Sequence, residues 1–364
     1  MQNNERRQRP VLAVSMGDPL GIGPEVIVKA LNERIQGGHA GEAGFRAHIY
    51  GCEWALREAA ERAGLSLRWE TARLGGNVDA NAACVVIEDD LWPDCRGLAA
   101  GNHAASGEVS FASVLAAIEA CKLDAGDARA AGAICTGPIS KKAWQLAGHG
   151  RYLGHTELLG EQLGQDDAVM FFLGPRIKLV LATVHIPLSR VASTLSTSGI
   201  THAATLGWKA CRDLGISSPR VAVCGLNPHA GEDGLLGEED EAIIAPAVAL
   251  LRAKGIDAHG PLSADSLFLD AVKPANAGGK TNGEKFDLFV AMYHDQGLIP
   301  VKLLDRDASV NITLGLCGRP GTMDRRDIVR TSPAHGTAFN IAGQNKADAA
   351  SMLSAIDAAV RLMS

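Results

Sequence analysis

The chain has 364 residues, 46% of them hydrophobic and 21% charged, with a formal net charge of -6 and a pI near 6.0. That length exceeds one simple core and suits two domains. The acidic balance excludes the basic face of a nucleic-acid binder and points to a small-molecule partner.

The amino terminus is polar and carries Arg6, Arg7 and Arg9, and only the short apolar run 11–14 follows. This is too short for a signal-peptide core, and no later run approaches the ~18 apolar residues of a membrane helix. A soluble, cytoplasmic protein without membrane contact is expected. Eight cysteines are scattered singly with no C-x-x-C spacing, which reads as reduced, mostly buried thiols.

Short apolar runs alternate with alanine-rich amphipathic stretches, the pattern of an α/β protein with a mostly parallel sheet. Strands are expected at 11–14, 47–50, 84–87, 131–135, 178–182, 221–224, 288–292 and 310–313. Apolar spacing of three and four predicts helices at 25–31, 54–63, 106–124, 156–163, 193–214 (in one or two pieces), 238–253 and 347–362. Residues 273–285 break both periods and read as an exposed loop, and 317–327 form a second irregular stretch bearing Arg319, Arg325 and Arg326. No linker marks a domain boundary, so the chain is expected to cross between domains more than once.

The first strand runs into Gly17-Asp18-Pro19 and a helix opening with Pro24 and Glu25, both favoured in a first turn. Its glycines do not match G-x-G-x-x-G, so this is either a tight turn capped by Asp18 or a ligand-facing loop. Thr136-Gly137-Pro138 with Ser140, Lys141 and Lys142 again follows a strand, and brings hydroxyl and ammonium groups suited to a phosphate or carboxylate. In Gly154-His155-Thr156-Glu157, Thr156 is the expected helix cap and His155 lies just outside the helix.

His185, His229 and His294 each follow a predicted strand, where doubly wound sheets place their ligand crevices. Three imidazoles with an open fourth position make a common catalytic zinc arrangement, and other divalent ions are also compatible. The run 288–292 ends in Tyr293-His294-Asp295-Gln296-Gly297, with Lys302 a few residues on, and reads as a buried strand delivering ionisable groups at its carboxyl end. Asn311 is placed to face the same crevice as Lys302. The small residues of 330–343 suit close backbone approach to a flat ligand.

Taken together and in this order, these motifs, with Gly225-Leu226-Asn227-Pro228-His229, Asn311 to Leu316 and His335-Gly336-Thr337-Ala338, resemble the 4-hydroxythreonine-4-phosphate dehydrogenase family over nearly the whole chain. The resemblance implies two α/β/α domains with a cleft between them, as in isocitrate and isopropylmalate dehydrogenases. It sets a cofactor-side domain at 1–140 plus 300–364, and a domain with metal ligands and dimer contacts at 141–299. It implies a homodimer whose site is shared between subunits, with a divalent metal (Zn, Mg, Mn or Co) on His185, His229 and His294. His155, Thr156, Lys302, Asn311 and Arg330 would bind substrate, and Lys302 and Asp295 are the candidate catalytic residues. The segment of His335, Gly336, Thr337, Ala338 and Asn340 would receive NAD or NADP, which accounts for the missing Gly-rich fingerprint.

The implied reaction is metal-assisted hydride transfer from a secondary alcohol, followed by decarboxylation if a 3-keto acid forms, as in pyridoxine biosynthesis. Two departures bear on the substrate: Ala334 stands where the family has aspartate, and 317–329 is about ten residues longer, an insertion loops accept readily. Relatives act on 4-phosphothreonate, 4-phosphoerythronate or a dihydrodiol of terephthalate breakdown. A zinc hydrolase using the same histidines, with Glu232 or Asp295 as base, is the rival reaction class.

Overall fold

The computed structural model describes residues 9–36, 44–164, 168–269, 286–305, 308–317, 327–333 and 335–363. The expected loop at 273–285 and nearly all of the irregular stretch at 317–327, along with Ala334, lie outside the described residues. The strands are β1 (Val11–Ser15), β2 (Arg46–Tyr50), β3 (Glu70–Arg73), β4 (Cys84–Glu88), β5 (Ala131–Thr136), β6 (Val169–Leu173), β7 (Lys178–Leu181), β8 (Arg220–Cys224), β9 (Asp257–Leu262), β10 (Leu288–Ala291), β11 (Val310–Cys317) and β12 (Asp327–Ser332). The helices are α1 (Gly23–Gln36), α2 (Glu53–Ala63), α3 (Ala104–Lys122), α4 (Lys141–Leu146), α5 (His155–Leu163), α6 (Val191–Thr194), α7 (Thr197–Asp213), α8 (Ala245–Ala253), α9 (Ala264–Leu267), α10 (His294–Asp305) and α11 (Ala350–Leu362).

The chain forms two compact units, Met1–Asp166 with Leu316–Ser364, and Asp167–Gly315. Both boundaries fall later than the sequence suggests, at 166 and 316 rather than 140 and 300. The reason is packing: α4 and α5 lie against α3 of the first unit, and Val310 to Leu314 of β11 pair with β6 of the second.

In the first unit the strands run β3-β4-β2-β1-β5-β12, each pair parallel. β1 is central and all five of its residues are buried, as a strand covered on both faces requires. α3 has the length and apolarity of a membrane span, contrary to the sequence reading, but 67% of that window is buried within the protein. It is a core helix. Gly107 lets α3 approach α4, since a Cβ there would stand 2.1 Å from the Ala143 carbonyl oxygen.

In the second unit the order is β11-β6-β7-β10-β8-β9, with β6 antiparallel to both neighbours and the rest parallel. Leu298 and Val301 of α10 join Leu179, Leu181, Phe289 and Ala291 in one buried cluster. The sequence left α10 unread because Gly297 and Pro300 interrupt it. Gly297 serves packing, as a Cβ there would lie 2.7 Å from a Leu179 methyl carbon.

All eight cysteines are free and buried, as expected. Burial pushes thiols such as Cys84 and Cys224 up to about 12, so they stay protonated and unreactive.

Candidate active site

In the first unit, two motifs that looked separate in sequence form one surface. Gly17 has φ 75° and a Cβ on it would stand 2.3 Å from the Pro138 carbonyl oxygen, so only glycine fits. The Asp18 amide donates to that same oxygen at 3.0 Å, and the Gly137 amide to Ser15 O at 2.8 Å. Asp18 is fully buried, accepting from the Leu20 amide at 3.0 Å and the Ser106 hydroxyl at 3.2 Å. It is thus a turn cap. Burial outweighs these hydrogen bonds and raises its carboxyl to about 6.

Parallel pairing of β12 with β5 sets Arg330 opposite Ile134 and next to the end of β5. The Arg330 guanidinium is buried, with Nε and Nη2 donating to Thr136 Oγ1 at 3.1 and 2.7 Å. Among the described residues no carboxylate forms an ion pair with it, and burial lowers its pKa to about 10. Its burial thus leaves a positive charge that no described carboxylate neutralises.

His155 opens α5, with its Nε2 enclosed and unpartnered. Burial first, then the charges of Arg330 and Lys141, hold the imidazole well below its ordinary pKa, hence neutral. Lys141 begins α4, which Ser140 caps by accepting from the Ala143 amide at 3.1 Å, and its Cε lies 3.6 Å from where a Cβ of Gly154 would be. Thr156 is not the cap of α5; that position is Gly154. Thr156 is exposed at the helix's second position.

The cofactor segment is anchored in the same unit. Ile22 at the head of α1 donates to Thr337 O at 2.9 Å, and Gly21 packs so closely that a Cβ would lie 3.0 Å from that oxygen. Ala338 takes the left-handed φ of 42°, Asn340 lies in the turn that follows, and the His335 Nε2 is enclosed without a partner among the described residues. A cavity of about 480 Å³ opens beside this segment, bounded by the turn at Leu20, by α2 and by Gly343 and Asn345. That volume suits part of a dinucleotide. The α2 wall carries no motif; the sequence's only sign of it is Trp54, Glu58 and Arg62 spaced four apart on one helical face.

In the second unit, β7, β10 and β8 are adjacent and parallel, so their carboxyl ends meet at one edge. His185 follows β7 and His294 opens α10, and their rings stand 5.6 Å apart. The His294 Nδ1 pairs with Asp295 Oδ1 at 2.7 Å. His229 lies after β8 in a run of left-handed residues, with φ of 54° at His229, 56° at Ala230 and 44° at Glu232. Asp240 holds that turn, accepting from the amides of Leu226 and Asn227 at 2.8 and 3.0 Å. Gln296 ties the loops together: Oε1 accepts from the Met292 amide and Nε2 donates to Gly225 O, both at 2.7 Å.

Among the described residues, no three His, Cys, Asp or Glu side chains stand close enough to hold a metal ion. One chain therefore brings together His185 and His294 and leaves His229 apart. The donors fit a divalent ion only as part of a set. Lys302 is exposed in the last turn of α10, and Asn311 is the second residue of β11, with its Oδ1 enclosed and unpartnered.

The sequence matches the family described as pyridoxal phosphate biosynthetic protein PdxA over residues 48–359. It is 38% identical to 4-hydroxythreonine-4-phosphate dehydrogenase of Geobacter metallireducens, covering 96% of this chain and 94% of that one. It is 37% identical to D-threonate 4-phosphate dehydrogenase of Salmonella typhimurium, covering 96% and 98%. The fold resembles the crystal structure of a 4-hydroxythreonine-4-phosphate dehydrogenase from Burkholderia phymatum, with a TM-score of 0.74 at 34% identity and coverage of 97% and 98%.

Proposed function

The chain belongs to the PdxA family and is a dehydrogenase acting on a CH–OH group, and we propose from this that it oxidises a small phosphorylated hydroxy acid of the 4-hydroxythreonine-4-phosphate or 4-phosphothreonate type with NAD or NADP. The observation that carries the substrate class is the buried Arg330, which pairs with no carboxylate among the described residues, beside neutral His155 and the ammonium of Lys141.

The chemistry of these groups supports a division of labour. Arg330 offers a planar fork suited to two anionic oxygens, and Lys141 adds a mobile point charge. His155, being neutral, adds a hydrogen bond at Nε2 without a third charge in the same space. Thr136 fixes the guanidinium, so little freedom is lost when substrate binds. Lys302, Asn311 and Thr156 complete the proposed substrate set.

A divalent ion on His185, His294 and the His229 of a second copy would supply Lewis acidity toward an alcohol oxygen and, in a decarboxylating reaction, toward the resulting enolate. Asp295 is read as orienting His294: accepting from Nδ1–H leaves the Nε2 lone pair free for a ligand bond. The nicotinamide cofactor would be held by the His335, Gly336, Thr337, Ala338 and Asn340 segment, in the manner of isocitrate and isopropylmalate dehydrogenases. We place the reaction in the cytoplasm and its two shared sites in a homodimer.

The reading is tested by mixing the enzyme with NAD or NADP, a divalent metal and each candidate acid, and following reduced cofactor. Turnover confined to unphosphorylated acids or to a cyclic dihydrodiol dicarboxylate would replace the phosphorylated substrate with that class.

A further inference from the structure

The cavity of about 480 Å³ in the first unit is walled by one face of α2, and that face has a chemistry of its own. Trp54, Glu58 and Arg62 recur every four residues and all line it. Trp54 and Leu20, with Ala55 and Ala59 between the polar positions, make an apolar wall fit for a flat base. The cavity is also lined by Ala342, Gly343 and Asn345, just past the Asn340 turn, and by Cys95 with residues 97–100.

Its charge is one-sided. The lining holds two carboxylates, Glu25 and Glu58, against one cation, Arg62. Glu25 is engaged by Lys29 at 2.8 Å and by the Ala347 amide at 2.8 Å, and so faces inward already satisfied. Glu58 accepts from Arg62 Nη2 at 2.5 Å, with both side chains about half exposed at 48% and 49%. The Arg62 guanidinium lies 3.5 Å from where a Cβ of Gly343 would be, and its backbone carbonyl accepts from Asn345 Nδ2 at 3.2 Å. Among the described lining residues Arg62 is the one cation, and it lies beside Gly343 paired with Glu58 of its own helix.

We propose that this cavity binds the adenosine end of the dinucleotide and that Glu58, by neutralising Arg62 and presenting a carboxylate to the ribose, makes the enzyme select NAD over NADP. The inference rests on the dehydrogenase reading and adds to it the choice between the two cofactors. A ribose 2′-hydroxyl can donate to the Glu58 carboxylate. A 2′-phosphate instead meets the like charge of Glu58, and Arg62 cannot turn to it without leaving its partner. Arg62 stands within one helical turn of Glu58, so removing the carboxylate charge alone turns a repelling site into an attracting one.

The experiment is equilibrium binding to the full-length enzyme in the presence of a divalent metal, by calorimetry and by quenching of protein fluorescence. The probes are NADH, NADPH and the nicotinamide-free fragments ADP-ribose and 2′-phospho-ADP-ribose. The wild type is expected to bind the non-phosphorylated member of each pair about tenfold or more tightly, the scale of one charge-assisted contact. Glu58→Gln should raise affinity for the 2′-phosphorylated member about tenfold, and Glu58→Gln with Arg62→Ala should cancel that gain. Trp54→Phe should remove most of the quenching with all four probes. Glu58 is half exposed, so these variants keep the fold, checked by an unchanged melting temperature. Equal binding of both members by the wild type, or an unchanged ratio in Glu58→Gln, overturns the inference while leaving the dehydrogenase reading intact. Failure of NADH and NADPH alike to bind overturns both.

Discussion

Among the described residues the buried Arg330 guanidinium hydrogen-bonds only to the Thr136 hydroxyl, so an anionic group on the proposed substrate would offset the cost of burying its charge. Arg330→Lys keeps the charge and loses the fork. Its KM for a phosphorylated acid should rise about tenfold or more with NADH affinity unchanged, measured by steady-state kinetics and calorimetry. An unchanged KM removes Arg330 from the substrate site. Asp18 carries a pH prediction of defined sign. Its folded pKa, about 6, is above the ordinary 3.8, so its contribution to stability is fully present below 3.8 and is lost as pH rises through 6. Asp18→Asn does not titrate, and its amide can still serve Leu20 and Ser106. Relative to wild type the variant should therefore gain stability between pH 4 and pH 7.5, by on the order of 3 kcal/mol at most. Urea denaturation at the two pH values checks this, and a difference that does not change with pH contradicts it.

Elements explain both what the sequence reveals and what it hides. Strands such as β1, β4 and β10 are short, mostly apolar and mostly buried runs, and their limits are readable to within a residue or two. β3 is a polar edge strand and β9 contains Gly260 and Pro261, so neither shows an apolar period. α10 hid behind Gly297 and Pro300, although its Leu298 and Val301 face the core. The site followed the same rule. Three strand-end histidines are legible because strands deliver residues to a common edge, whereas Lys141 comes beside Gly154 only through the tertiary fold, which no periodicity records. The close fit of the Gly17 and Pro138 turns is one such spatial fact. Gly17→Ala imposes both a left-handed alanine and a clash with backbone, and should cost on the order of 3 kcal/mol in chemical denaturation. A loss below the error of the measurement would show that the two turns are not locked together.

At the scale of the whole molecule, the two histidine rings at 5.6 Å and the separate His229 define what a second copy would have to add. If His229 completes the set across a dimer, neither His229→Ala nor His294→Ala alone should hold metal, but a mixed dimer of the two should hold one ion. Mixing His185→Ala with His294→Ala should restore none, because each chain then lacks part of the same half-site. Metal analysis of purified mixed dimers reads this directly, and equal recovery in both mixtures would reject the shared arrangement.

In the proposed function the first unit recognises a phosphate-bearing hydroxy acid through Arg330, His155 and Lys141. The most direct test compares kcat/KM for reduced-cofactor formation with 4-hydroxythreonine-4-phosphate and 4-phosphothreonate against the same acids without phosphate. At least one phosphorylated acid should exceed its unphosphorylated partner by about a hundredfold or more, the scale expected when buried polar groups are left unpaired. Equal turnover with and without the phosphate would contradict the account.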